Sequence, residues 1–225
     1  MTLFFDMKNQ ILILLLAFSF FGCNSHTEEG EIEPVVEIRF QQPINFPEPT
    51  FNLEENPINT KGFELGRKLF YDTKLSSGNT ISCGECHNQA FAFTHHGHDL
   101  SEGVLLDVLG TRNSQPIQNL AFMDAFTWDG SIEQLWKQPV VPITEKVEMN
   151  ETLENVIAKL SASQMYRDQF SRTFGSAEVT SEKMSLAMEQ FMNSIVSYNS
   201  KYDQYLAGTA TLTDSEERGR KLYFT

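Results

Sequence analysis

Cysteine is scarce: three in 225 residues cannot staple a disulfide framework. Positive charge is scarce too, with 17 Lys and Arg against 30 Asp and Glu, a formal charge of −13. Such a chain has little with which to neutralise a phosphate backbone, which argues against a nucleic-acid partner. The surplus acid suits a soluble surface and would steer a basic protein partner. No long alternation of period two is found, so an extended β architecture is not expected. The apolar run from Ile11 to Phe21 is too short to span a bilayer comfortably. Hydrophobic residues still make up 40% of the chain, enough to bury the core of one large or two small domains.

Residues 1–22 read as a targeting segment. Lys8 gives a modest positive start, the apolar run follows, and Phe20-Phe21-Gly22-Cys23 closes it. A small residue before Cys resembles a lipoprotein cleavage site, with Phe20 where an aliphatic residue is usual. The expectation is a lipoprotein-type signal peptide, lipidation at Cys23 and attachment to a membrane by that lipid. The alternative is an ordinary signal peptide with an incidental Cys. Stable anchoring would need several acyl chains. Residues 23–58 read as an extended tether. Glu28, Glu29, Glu31 and Glu33 are followed by Pro34, Pro43, Pro47, Pro49 and Pro57, and no helical period survives so many prolines.

Helical patterning begins after that. Thr60 is placed to cap a helix carrying Phe63, Arg67 and Phe70. Leu153, Val156, Ile157 and Leu160 fall at i, i+3, i+4 and i+7, behind Asn150 and Glu151 as expected cap and first-turn acid. Met184, Met188, Phe191, Ile195 and Tyr198 form another stripe, read as core. Gly208 should stop a short helix before it. From Asn88 to Val147 the periodicity is poor and glycine and proline punctuate the chain. A loop that long serves a function or wraps a cofactor. The fold class expected is all-α.

Immediately before that loop stands Cys83-Gly84-Glu85-Cys86-His87. Two thiols three apart can add to the two vinyl groups of a haem, and the adjacent His87 then reaches the iron. Zinc would need two further ligands, which His95, His96 and His98 would have to supply. A redox dithiol would have no use for His87. Haem c attachment takes place outside the cytoplasm, in agreement with the export signal. Cys83 and Cys86 are therefore read as covalent haem anchors and His87 as the axial iron ligand.

Glu64-Leu65-Gly66-Arg67-Lys68-Leu69-Phe70-Tyr71 is echoed by Glu217-Arg218-Gly219-Arg220-Lys221-Leu222-Tyr223-Phe224, identical at five of eight positions. Repeats are the trace of duplicated units. Residues 59–208 are expected to form the haem domain and 209–225 to begin a truncated second one. By analogy with the first unit, another Cys-x-x-Cys-His is expected about 10–20 residues further on in the full-length gene.

Together these segments resemble the bacterial di-haem cytochrome c peroxidases and their MauG relatives. The resemblance runs from about Asn56 to the end. It is carried by Leu65 to Phe70, Ile81 to Asn88, Gly110-Thr111-Arg112-Asn113-Ser114, Trp128-Asp129-Gly130, Val147-Glu148-Met149-Asn150, Phe174-Gly175, Tyr205 to Gly208 and Arg218 to Phe224. It implies a cytochrome-c-like haem domain with long haem-wrapping loops, in the bacterial periplasm. It also implies a second haem in the full-length protein, with hydrogen peroxide as substrate and a small cytochrome c or copper protein as electron donor. By the same resemblance Glu148 matches the distal acid that moves protons, Gln138 the distal glutamine, and Trp128 the aromatic between the haems. Asn113 matches a ligand to an inter-domain calcium. Taken alone, Glu148 would be an ordinary solvated or capping acid, Trp128 core packing and Asn113 a turn residue. Two positions depart from the family pattern. Ser101-Glu102-Gly103 is followed by Val104 where many members place a distal His, as in the MauG-like members with an open iron. His95, His96 or His98 could cap the iron instead. Ser131 replaces the usual Arg after Trp128-Asp129-Gly130.

The function expected is a haem c peroxidase. A mono-haem electron carrier, a MauG-like oxidase of a partner protein and an inactive gene fragment are the alternatives.

Overall fold

A computed structural model describes residues 37–225; the targeting segment, Cys23 and the tether up to residue 36 lie outside the described residues. Eight α-helices follow one another there: α1 Thr60–Phe70, α2 Cys83–Cys86, α3 Val140–Thr144, α4 Leu153–Ser161, α5 Gln164–Phe174, α6 Ser181–Asn193, α7 Lys201–Leu206 and α8 Asp214–Tyr223. Short 3-10 turns and isolated β-bridges fill the intervals, and no strand forms among the described residues. The all-α expectation holds. None of these helices is long and apolar enough to cross a membrane.

The core is built on the crossing of α1 and α6. Leu65, Leu69 and Phe70 of α1 meet Met184, Ala187, Met188 and Phe191 of α6, all buried. The two backbones touch at Gly66, where a Cβ would fall 1.9 Å from the Ala187 carbonyl oxygen. The methionines are core, as their spacing predicts. Tyr166 and Phe170 of α5 and Val156 and Leu160 of α4 complete the buried cluster.

Helix ends differ from expectation by a residue or two, for local reasons. Asn59 is extended and its side chain accepts the Gly62 N–H, so Asn59 caps α1. Thr60 is already helical, and its hydroxyl accepts the Ile38 N–H at 2.9 Å. Thr152 caps α4 by accepting the Asn155 N–H. Asn150 instead occupies a left-handed turn, and Glu151 pairs with Lys159 at 2.6 Å. Helix α6 stops at Asn193, short of Tyr198, because Asn119 captures the following backbone. Its N–H donates to the Ile195 carbonyl and its side-chain oxygen accepts the Ser197 N–H at 2.7 Å. Gly208 turns left-handed just beyond α7, as predicted.

Residues 37–58 run without regular structure as a strap. Thr50 bonds through its N–H and hydroxyl to the carbonyls of Ala121 and Met123. The Asn56 amide donates to Glu189 Oε2 at 2.7 Å and to the Leu186 carbonyl. Gln190 donates back to Asn56 Oδ1 at 2.8 Å. The long irregular segment 88–147 drops Phe93, Ile117, Leu120, Phe126, Leu135 and Ile143 into the core. Helix α8 is different: Leu222 is 78% exposed where Leu69, its counterpart in the repeated octapeptide, is 0% exposed.

Candidate haem attachment site

Ser82 is extended, and the chain then closes the single turn of α2, with the His87 N–H donating to the Cys83 carbonyl at 2.9 Å. Residues three apart lie on one side of such a turn, so Cys83 and Cys86 face the same way. Burial pushes the Cys83 thiol up to about 12, helped by neighbouring Cys86 and by Glu148. Burial also raises Cys86, against a hydrogen bond from Ser114. Among the described residues no group of three His, Cys, Asp or Glu side chains is placed to hold a metal ion, so the turn lacks the further ligands that a zinc site needs.

His87 Nδ1 lies 3.1 Å from the Phe93 carbonyl oxygen. A carbonyl only accepts, so Nδ1 carries the hydrogen and Nε2 keeps a free lone pair. Burial lowers the His87 pKa, opposed by the Phe93 and Gln115 carbonyls, and this favours the neutral, ligating ring. The Phe70 ring stands 6.3 Å from the imidazole.

Glu148 follows α3 and is tied to the loop after the attachment motif. The Val104 N–H donates to the Glu148 carbonyl at 2.8 Å. Gly103 lies so close beneath that a Cβ would fall 2.2 Å from the Val147 oxygen. Burial first, then Glu145, raises the Glu148 pKa. Its charge is felt by both Cys83 and Cys86. Since Thr152 is the cap of α4, Glu148 is not a capping acid; it belongs to the surroundings of the attachment turn.

The other predicted residues fall into two groups. Gln138 follows the 3-10 turn Leu135–Lys137, and its Oε1 is buried without a hydrogen-bond partner. Trp128, Asn113 and the histidine loop are joined by hydrogen bonds. Trp128 Nε1 donates to the Asn113 carbonyl at 2.8 Å, and Asn113 Nδ2 donates to the His98 carbonyl at 2.7 Å. Trp128 is exposed and so is not core packing. Asn113 Oδ1 is buried and unpartnered. His98 is paired with Glu102 at 2.9 Å, and the His96 ring stacks on Phe91. His95 stacks on His98 with ring centroids 4.0 Å apart, and its Nδ1 is buried without a partner. Ser131 closes the turn at Asp129, whose pKa is held down to about 2 by hydrogen bonds from Thr127 and Ser131.

Sequence reasoning missed the Phe93 carbonyl, a main-chain acceptor that no side chain advertises. It also missed Tyr71, whose ring lies against Gly84 inside the attachment motif; a glycine between the two cysteines was the available signal. A haem fits this donor set: two thiols on one turn and, directly after them, a neutral imidazole whose Nδ1 hydrogen is committed to the Phe93 carbonyl.

The profile of a family described as di-haem cytochrome c peroxidase matches residues 60–211. The methylamine utilization protein MauG of Methylorubrum extorquens is 30% identical over 188 residues, covering 82% of this chain and 51% of the relative. The cytochrome c551 peroxidase of Pseudomonas aeruginosa is 33% identical over 179 residues, covering 76% and 50%. Among solved structures, a MauG-like protein associated with microbial copper homeostasis superposes with a TM-score of 0.76 at 32% identity. That match covers 84% of this chain and 55% of the other. The chain thus spans about half the length of the curated relatives it matches.

Proposed function

This chain belongs to the di-haem cytochrome c peroxidase family, and from that premise we propose that it is a peroxide-reducing haem unit. The reaction is hydrogen peroxide plus two protons and two electrons giving two waters. The electrons come from a small cytochrome c or copper protein. Cys83 and Cys86 would hold one haem c through thioethers and His87 Nε2 would ligate its iron; when bound, the haem would supply the redox chemistry. A second haem belongs to the full-length protein, as in the family.

The observation that carries this reading is Glu148, a carboxyl with a raised pKa beside the attachment turn. A group that takes and returns a proton near neutral pH works best when its pKa lies close to that pH, and burial moves Glu148 that way. Its role is to accept a proton from peroxide and deliver it to the departing oxygen. The unpaired Gln138 amide orients the substrate. The Phe93 carbonyl fixes the tautomer and direction of His87, as an outer partner does for a metal ligand. Trp128, exposed and bonded to Asn113, is the electron route. Asn113 Oδ1 is a candidate calcium oxygen, with its remaining ligands from elsewhere, because no suitable trio of His, Cys, Asp or Glu occurs among the described residues.

Val104 and the exposed Trp128 favour a second reading, a MauG-like oxidase that draws electrons from a partner protein through the tryptophan. Of the three loop histidines, His95 alone has an unpartnered buried nitrogen, so it is the candidate cap on the iron. The location proposed is the bacterial periplasm, with a lipid at Cys23.

Glu148→Gln tests the central assignment. Haem content by pyridine haemochrome should be unchanged. The peroxide-induced Soret change, followed by stopped flow, should slow by about 10²–10⁴-fold. An unaltered rate would remove Glu148 from the mechanism.

A further inference from the structure

Tyr71 is a residue for which that chemistry has no role, yet it lies against the attachment turn. It caps the C-terminus of α1. A Cβ on Gly84 would fall 2.5 Å from Tyr71 Cδ1 and 2.6 Å from Cε1, so only glycine lets the phenol ring come so close. The ring also meets Phe70 and Phe191, with centroids 5.1 and 6.2 Å away. Even so, Tyr71 is 41% exposed. It therefore reaches from solvent to the backbone between the two haem-bearing cysteines. Tyr166, by contrast, is buried and donates its hydroxyl to Asp72.

We propose that Tyr71 is an oxidisable relay of this haem unit, acting when peroxide has oxidised the haem and no donor protein is present. Electron transfer weakens steeply with distance, and contact with the attachment turn makes Tyr71 a short route. The inference rests on the peroxide-reducing reading. In the haem-loaded protein Tyr71 would lose one electron and its phenolic proton, with hydrogen peroxide as the oxidant, leaving a phenoxyl radical. Two such radicals from two molecules join by a carbon–carbon bond. The balance is one hydrogen peroxide and two tyrosines giving one dityrosine and two waters.

The test uses haem-loaded wild type and Tyr71→Phe, treated with hydrogen peroxide without a donor. Trypsin cuts after Lys68 and Lys74 and releases Leu69–Lys74, whose one tyrosine is Tyr71. Wild type should lose this peptide in its free form. It should gain a cross-linked dimer lighter than two peptides by two hydrogens, with dityrosine fluorescence. Tyr71→Phe, with haem content and far-UV circular dichroism unchanged, should give neither. An intact peptide in wild type whose Soret band has responded to peroxide would overturn the proposal. So would equal cross-linking in haem-free protein carrying Cys83→Ser and Cys86→Ser. A Soret band that never responds would remove the peroxidase reading, and Tyr71's role with it.

Discussion

His87 is held by a main-chain oxygen and Glu148 by burial, and the two are legible in the sequence to different degrees. The spacing of Cys83, Cys86 and His87 has one chemical use and announces itself. The Phe93 acceptor announces nothing, because every residue has a carbonyl. Replacing His87 by Gly should move the ferric Soret band and abolish peroxide turnover; an unmoved band would assign the axial ligand elsewhere. Glu148 also leaves a thermodynamic mark. Its native pKa is raised, so the folded chain binds that proton more tightly than the unfolded chain. The stabilisation is complete below the unfolded value of about 4.3 and is lost as pH rises through the native value. Glu148→Gln should therefore melt higher than wild type at pH 7, with the difference vanishing below about pH 4. A variant that melts lower throughout would mean the carboxylate is stabilised by contacts rather than strained by burial.

Among the helices, the repeated octapeptide offers an internal control. Gly66 sits against the Ala187 carbonyl, whereas Gly219, its counterpart in α8, has open space around its missing Cβ. Gly66→Ala should cost about 1–3 kcal/mol or more, since two helices must part. Gly219→Ala should gain up to about 1 kcal/mol from helix propensity. Urea midpoints measure both, and equal shifts would contradict the packing difference. Asn56→Ala should cost about 1–3 kcal/mol by leaving the buried Glu189 short of a donor. The sequence made the helices readable but not their ends. Asn59 outcompeted Thr60, and Thr152 outcompeted Asn150, because several capping residues stood side by side and only backbone geometry chose between them. The stripe to Tyr198 was cut by Asn119, 78 residues from Ser197, a contact no local period encodes.

Over the whole molecule, the charge of −13 would attract a cationic donor protein at long range. Association with a cationic donor protein should slow on the order of tenfold or more between low and physiological ionic strength. Stopped-flow reduction across a salt series would show it, and a flat profile would mean the acid serves solubility alone. The all-α class and the irregular stretch from 88 to 147 were both foreseeable. The path of that stretch was not, because turns and bridges route it rather than a pattern. The strap has a practical consequence. Thr50 and Asn56 fasten it, and Phe40 packs on Phe51 and Phe122. A shortened version started at the first helix would take away the amide beneath Glu189 and uncover Phe122. Laboratory versions intended for crystals or labelling should keep everything from residue 37 onward.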